Sequence, residues 1–274
     1  MRTNKKEFAA VITAAGKSTR MNTPIKKEYL DLPNAKPGVS ILSECLYKFL
    51  NTNLFDIIII TVPEEDINKI SEIIFSDKRI SVNLENLQTK LIFVCGGAER
   101  RISVFNALLE LEQIVKENKS ELKYVLIHDG ARPFLSESLI KKICIQVKEY
   151  GAVAPGYEAT DTQKIVDSKG KITTHLIRSS VYAVQTPQGF DFKKLLQAHK
   201  KAELTQKIYT DDSEIYSEFE EPVFICEGEI TNKKITFKED LSVYQSTSLP
   251  DCRTLELIKT YFYHALRQII RFRR

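Results

Sequence analysis

Small residues and cations follow the first apolar run of the sequence, which spans residues 8–13. Three small residues come directly after it: Ala14, Ala15 and Gly16. Their backbone N–H groups are open to a close approach by phosphate oxygens, and Arg20, Lys26 and Lys27 follow shortly afterwards. The spacing indicates an anion-binding turn, with an ordinary strand-to-helix turn and solvated charges as the alternative.

The glycines of this segment exclude two common nucleotide-binding loops. A Walker A loop needs a glycine five residues before the glycine of its Gly-Lys pair, and Val11 occupies that position relative to Gly16. A dinucleotide-binding fingerprint needs three glycines, and Gly16 is the only one in the loop. Glu64, just beyond the apolar run 57–62, would suit a dinucleotide-dependent oxidoreductase. Without the fingerprint, this class of enzyme is less favoured.

Apolar runs of strand length alternate with helix-length amphipathic stretches along the first part of the chain. The runs lie at residues 8–13, 57–62, 91–95, 125–128 and 152–155, and the stretches between them at 41–50, 67–75, 101–115 and 139–147. Continuous apolar strands are typical of a parallel sheet that is covered on both faces. We therefore predict a doubly wound α/β fold with a mostly parallel, Rossmann-like sheet, helices on both faces, and the ligand at the carboxyl ends of the strands.

The second part of the chain departs from this alternation. Two short strands around a turn, at 163–166 and 171–175, predict a β-hairpin. Further helices and strands are predicted after the hairpin: helices at 192–202 and 212–219, and strands at 223–226 and 234–237. We divide the chain into a domain of residues 1–250, with the hairpin as an arm at about 156–180, and a C-terminal segment of residues 251–274.

The C-terminal segment has an apolar stripe flanked by arginines, which predicts one amphipathic, basic helix over 251–274. Docking of this helix on the domain or on a second subunit is the favoured interpretation. Contact with an anionic membrane and binding of another partner are the alternatives.

Composition and charge exclude several classes of protein. Hydrophobic residues make up 43% and charged residues 28% of the 274 positions, which is ordinary for a soluble globular protein. Residues 1–252 carry 34 basic and 35 acidic residues, so this part of the chain is no general nucleic-acid binder. The chain has five cysteines without a CxxC pair and no apolar run of about 18 residues, which predicts a cytoplasmic protein without a structural metal.

Six further motifs follow the first loop and lie at the ends of predicted strands or on the hairpin. They are residues 96–104 (GGAERRISV), 128–133 (HDGARP), 161–162 (DT), 178–188 (RSSVYAVQTPQ), 210–212 (TDD) and 232–236 (NKKIT). Together with the first loop and the KEYL segment at 27–30, this series resembles the 2-C-methyl-D-erythritol 4-phosphate cytidylyltransferases from about residue 8 to residue 241.

The resemblance implies an enzyme that transfers the CMP moiety of CTP to 2-C-methyl-D-erythritol 4-phosphate, with release of pyrophosphate, in non-mevalonate synthesis of isoprenoid precursors. A ribitol 5-phosphate cytidylyltransferase is the nearest alternative, and Ser103-Val104 and Arg178-Ser179 favour the methylerythritol branch. A non-catalytic nucleotide-binding protein would be expected to lack Lys27 or Asp129, and both residues are present.

The resemblance also implies roles for individual residues. Arg20, Lys27 and Lys234 would act on the triphosphate, and Asp129 would hold Mg²⁺ or another divalent cation. The residues implied for CTP binding are Ala14, Ala15, Gly16, Gly97, Ser103, Asp129 and Gly130. Those implied for binding the phosphate of the second substrate are Arg132, Thr162, Arg178 and Thr186. The hairpin arm would grip a second subunit and help to build its site, which implies a homodimer.

Three departures from the family pattern bear on this site. Lys17-Ser18-Thr19 stands where another glycine is usual, which predicts a stiffer loop. Lys26 or Lys27 occupies the position of the functional lysine, and Lys27, directly before Glu28, is our choice. Ala98 stands where an Asp is common, so one contact to the nucleotide would be lost.

Overall fold

An eight-stranded sheet runs through the computed structural model, which describes residues 6–21, 23, 25–87, 89–118 and 121–241. The strands are, in chain order, β1 (Phe8–Thr13), β2 (Phe55–Val62), β3 (Lys90–Cys95), β4 (Tyr124–Asp129), β5 (Ala152–Glu158), β6 (Lys164–Val166), β7 (Ile172–His175), β8 (Tyr182–Val184), β9 (Gln188–Asp191) and β10 (Phe224–Glu227). β6 and β7 form a separate hairpin, and the other eight strands form the sheet.

The strand order of the sheet is β10-β5-β9-β4-β1-β2-β3, with β8 beside β5. β1 is parallel to both β2 and β4, and β2 is parallel to β3. The predicted mostly parallel α/β fold is therefore confirmed. β9 lies antiparallel between β4 and β5, and β8 is antiparallel to β5. Neither strand was predicted, because both are short and their place in the sheet depends on pairing with distant segments.

Helices cover both faces of the sheet. They are α1 (Ile41–Asn51), α2 (Ile70–Phe75), α3 (Lys78–Leu87), α4 (Arg100–Asn118), α5 (Glu137–Tyr150), α6 (Phe192–Ala202) and α7 (Asp212–Phe219). Ile12 of β1 packs in one core cluster with Leu46 of α1, whereas Val11 packs in a second cluster with Leu108 of α4. A strand that is buried on both faces has to be apolar at every position, which is why β1 is a continuous apolar run.

One prediction about these elements was wrong, and a second was right except for the start of the helix. No strand forms at 234–237, because the N–H of Ile235 donates to the carbonyl of Ala131, and the N–H groups of Thr236 and Phe237 donate to the carboxylate of Asp240. The Asp240 side chain and one loop carbonyl thus take the place of a neighbouring strand. The helix predicted at 67–75 begins at Ile70, and α3 follows it as a second helix.

The predicted hairpin is present as β6 and β7, and Gly170 in its turn has a φ of 81°. The side chains of both strands are exposed along their whole length. The helix predicted for 251–274 lies outside the described residues. Within the described ranges, no helix has the length and apolar character needed to cross a membrane.

Candidate active site

A cleft of about 370 Å³ opens where β1, β3 and β4 end. Thr13 and Asp129, the last residues of β1 and β4, both line it. Eight residues predicted for the site are part of its lining: Ala15, Gly16, Arg20, Lys27, Gly97, Ser103, Asp129 and Lys234. The cleft thus lies at the carboxyl edge of the sheet, where an α/β fold binds its ligand.

The loop after β1 adopts a left-handed conformation at Ser18, which has a φ of 52°. Glycine enters this region with the least strain. The Ser18 hydroxyl donates to Glu28 Oε2 at 3.0 Å and accepts from the N–H of Lys27 at 3.3 Å. These two hydrogen bonds hold the loop against the short 3-10 turn Lys27–Tyr29 and help to fix the backbone that carries Lys27.

Lys27 and Lys26 lie in different parts of the site. Lys27 is buried, lines the cleft, and donates from Nζ to the carbonyl of Ile235 at 2.8 Å. Burial lowers the pKa of Lys27, and the neighbouring Glu28 carboxylate opposes this change. Lys26 donates from Nζ to the carbonyl of Gly16 and lines a smaller cavity instead. This placement supports Lys27 as the functional lysine, which stays a prediction.

Three cations surround the Asp129 carboxylate. Lys234 Nζ lies 2.7 Å from Oδ2, Arg100 Nε lies 3.1 Å from Oδ1, and Arg132 Nε lies 3.7 Å from Oδ2. Burial by itself would raise the pKa of Asp129, but Arg100, Lys234 and Arg132 hold it well below its ordinary value. The carboxylate is therefore ionised over the whole physiological pH range.

An ionised Asp129 fits the predicted divalent cation. Mg²⁺ keeps several water molecules and binds one or two carboxylates together with substrate phosphates. In the described part of the chain, no group of three His, Cys, Asp or Glu side chains is arranged to hold a metal. Asp129 would therefore bind the cation together with phosphate oxygens and water, and not as part of a protein cage.

The buried His128 imidazole connects three segments beneath the cleft. Its Nε2 lies 3.2 Å from the carbonyl of Arg132, and its Nδ1 lies 3.1 Å from Thr186 Oγ1. A carbonyl only accepts, so Nε2 carries the proton and Nδ1 accepts from the Thr186 hydroxyl. That hydroxyl also accepts from the N–H of Asp129 at 3.0 Å. A contact from Thr186 to a substrate phosphate, as predicted, would require its bond to His128 to break.

We expect His128 to make the folded protein less stable in mild acid. Burial lowers the pKa of His128 from 6.5 to about 3. As the pH falls below 6.5, the unfolded chain therefore binds a proton that the folded protein does not bind. Between pH 7 and pH 5, this group should lower the free energy of unfolding by about 2 kcal/mol.

Urea unfolding of the wild type and of His128→Gln at both pH values measures this effect. The variant lacks the imidazole of His128, so the dependence of its stability on pH should be weaker by the same amount. An identical pH dependence of the two proteins would contradict the expectation.

The turn after β3 brings Gly96 against the first loop. A Cβ at Gly96 would lie 2.2 Å from the Cβ of Ala15, so this approach requires glycine. The Ser103 hydroxyl accepts from the N–H of Gly97 at 3.0 Å and donates to the carbonyl of Glu99 at 3.1 Å. Ser103 therefore stabilises the turn, and the contacts of Gly97 and Ser103 with the nucleotide stay predictions.

The remaining predicted residues are not part of the cleft lining: Ala14, Gly130, Arg132, Thr162, Arg178 and Thr186. Arg132 donates from Nη1 to the carbonyl of Asn232 at 2.9 Å and lies beside Asp129. Thr162 and Arg178 are exposed at the base of the hairpin. The Arg178 side chain makes no hydrogen bond or ion pair with the described part of the chain.

Comparison with known proteins agrees with this geometry. The family model for 2-C-methyl-D-erythritol 4-phosphate cytidylyltransferase matches residues 8–247. The chain belongs to this family. A 2-C-methyl-D-erythritol 4-phosphate cytidylyltransferase from Clostridium botulinum (strain Eklund 17B / Type B) is 38% identical over 235 residues, which are 86% of this chain and 96% of the relative. One from Clostridium beijerinckii is 37% identical over 85% of this chain and 94% of its own length.

The present chain shares its fold with a solved structure. The crystal structure of 4-diphosphocytidyl-2C-methyl-D-erythritol synthase from Anaerococcus prevotii superposes with a TM-score of 0.70 at 30% identity and covers 87% of this chain and 94% of its own. The family predicted from the motifs and the α/β fold predicted from the apolar runs are both confirmed. The comparisons do not favour the alternative family of ribitol 5-phosphate enzymes.

One set of site residues in this cytidylyltransferase chain was missed in the sequence. Arg100 donates from Nε to Asp129 and from Nη1 to Asp212 Oδ2 at 2.7 Å, and His199 Nε2 lies 3.1 Å from Asp212 Oδ1. The available signals were an arginine pair shortly after the Gly96-Gly97 turn and two aspartates at the start of a predicted helix. Nothing in their spacing pairs residues that are so far apart.

Proposed function

We propose that this protein transfers the cytidylyl group of CTP to 2-C-methyl-D-erythritol 4-phosphate and so forms CDP-methylerythritol and pyrophosphate. The observation that carries this proposal is the cleft, in which an ionised Asp129 lies among cations while Lys27 faces the same space. Membership of the cytidylyltransferase family supports the choice of CTP and of the acceptor.

The reaction is a displacement at phosphorus. A phosphate oxygen of the acceptor forms a bond to the α-phosphorus of CTP, the bond from that phosphorus to the bridging oxygen breaks, and pyrophosphate leaves. Negative charge grows around the α-phosphorus, where Lys27 and Lys234 would stabilise it, while Arg20 would neutralise the rest of the triphosphate. No general base is needed because the acceptor phosphate is ionised near neutral pH. A buried, neutral His128 is compatible with this chemistry.

A divalent cation such as Mg²⁺ would supply further neutralisation of the phosphate charge when bound beside Asp129. The protein prepares this position by keeping the Asp129 carboxylate ionised between Arg100, Arg132 and Lys234. Of these three cations, Arg100 and Lys234 line the cleft, and Lys234 is the one predicted to act on the triphosphate.

We also propose a homodimer in which the hairpin arm of each subunit completes the site of the other. The arm exposes apolar side chains, among them Ile165, Ile172 and Ile177, which association would bury. Arg178 on the same arm has no partner among the described residues, and its guanidinium suits bidentate binding of the acceptor phosphate. Thr162 beside it would contribute a hydroxyl to the same phosphate.

A substrate panel tests the proposed reaction. The purified protein receives Mg²⁺, one nucleoside triphosphate and one polyol phosphate, and pyrophosphate release is measured. We expect turnover with CTP and methylerythritol 4-phosphate, and much slower release with ATP, GTP or UTP or with ribitol 5-phosphate. Release with ribitol 5-phosphate that equals or exceeds this rate would contradict the acceptor and leave the cytidylyl transfer standing.

A further inference from the structure

A buried pair of polar side chains lies behind the cleft. Asp212 and His199 are both fully buried, and their Oδ1 and Nε2 atoms are 3.1 Å apart. The ring of Phe105 stacks on His199 with 6.0 Å between the centroids. Neither Asp212 nor His199 is part of the cleft lining, so neither one is placed to touch a substrate.

Arg100 connects this buried pair to the cleft. Its guanidinium donates from Nη1 to Asp212 Oδ2 at 2.7 Å and from Nε to Asp129 Oδ1 at 3.1 Å. The guanidinium is planar, so its bond to Asp212 restricts the orientation in which it can donate to Asp129. Asp212 begins α7, and His199 lies in α6, so the connection reaches a rigid part of the domain.

The two oxygens of Asp129 are held differently. Lys234 and Arg132 both lie against Oδ2, at 2.7 and 3.7 Å. Among the described residues, the side-chain hydrogen bond to Oδ1 comes from Arg100, and the one to Oδ2 comes from Lys234. Without Arg100 at its present position, the carboxylate would be free to rotate towards Lys234 and Arg132. Its direction in the cleft therefore depends on the bond from Arg100.

We propose that Arg100 is a positioning residue for Asp129 in the cytidylyl transfer, and that Asp212 and His199 hold Arg100 in its productive orientation. This inference rests on the proposed function, because the orientation of Asp129 affects catalysis only if Asp129 binds the cation beside the phosphates of CTP. A buried ion pair by itself adds little stability compared with apolar packing. A role in orienting Asp129 explains why the charged side chain of Asp212 is buried behind the cleft and paired with Arg100.

Asp212→Asn is the decisive variant because it keeps the shape of a residue that contacts no substrate. We expect kcat to fall about tenfold, since a small misplacement of a catalytic group is costly. The KM for CTP should change less than kcat does, because the other residues predicted to contact CTP, among them Lys27 and Lys234, stay in place. Arg100→Lys keeps the charge but lacks the fork that bridges two carboxylates, so it should lower kcat by at least as much.

A matched control lies elsewhere in the chain. Arg79 also bridges two carboxylates, with Nη2 at 2.7 Å from both Asp77 and Glu44, and none of the three lines the cleft. We therefore expect Arg79→Lys and Asp212→Asn both to lower the melting temperature, and Arg79→Lys to leave kcat unchanged. An Asp212→Asn protein with a lower melting temperature and an unchanged kcat would overturn the positioning role.

A crystal structure of Asp212→Asn separates this inference from the proposed reaction. We expect the Asp129 carboxylate to have turned away from Arg100 Nε. An unchanged orientation overturns the inference, whatever the activity of the protein. Absence of turnover in the wild type with every polyol phosphate would instead overturn the proposed function, and the structure of the variant would still decide the orientation of Asp129.

Discussion

Replacing Lys27 by Ala is expected to lower kcat by about 100-fold or more, with a smaller change in the KM for CTP. The Lys27 ammonium lies in the cleft that also contains Lys234 and Asp129. The charge that it would stabilise develops at the α-phosphorus during the reaction, so the loss should appear mainly in kcat. Steady-state kinetics of the variant measure the change in kcat. A melting curve checks that the variant is folded, since it lacks the hydrogen bond from Lys27 to the carbonyl of Ile235.

Lys26→Ala is the matched control for this prediction. Lys26 carries the same charge one residue away, but it donates to the carbonyl of Gly16 and is not part of the cleft lining. We expect Lys26→Ala to keep most of the activity. Full activity of Lys27→Ala together with an inactive Lys26→Ala would mean that Lys26 is the functional lysine.

Replacing Arg178 by Ala is expected to raise the KM for the acceptor on the order of 100-fold, with little effect on the KM for CTP. Hydrogen bonds from a guanidinium to phosphate are charge-assisted, and each is worth about 1.5–3 kcal/mol. Arg178 is exposed on the arm and is not part of the cleft lining within its own chain, so the loss should arise in the site of the second subunit. Kinetics with varied acceptor at saturating CTP measure the change.

Mixed dimers of Arg178→Ala and Lys27→Ala test whether the arm acts in the second subunit. If it does, one site of a mixed dimer carries both substitutions and the other carries neither. At an acceptor concentration far below the raised KM of Arg178→Ala, both variants are nearly inactive. Random mixing should then restore about a quarter of the wild-type activity, because half of the dimers are mixed and each has one intact site. No recovery after verified subunit exchange would show that each arm serves its own subunit.

Local sequence was sufficient for elements that carry their own boundary signals. α6 and α7 begin and end at the predicted residues, 192–202 and 212–219. The side chains of Asp191 and Asp211 cap their first turns by accepting from the N–H groups of Lys194 and Glu214. The segment 234–237 carries no such signal, and its backbone bonds to a loop carbonyl and to Asp240 instead of joining the sheet.

The sequence by itself determined the family, the α/β class, and the cations and small residues around the cleft, because these follow from residue types in a fixed order along the chain. Only the tertiary structure decided which groups are partners. It placed the Thr186 hydroxyl between His128 and the N–H of Asp129, and it joined Arg100 to Asp129 and Asp212. A hydrogen bond or close ion pair forms only between groups that the fold brings within about 3 Å. For residues in separate elements, that distance is set by how the strands and helices pack and not by any local pattern.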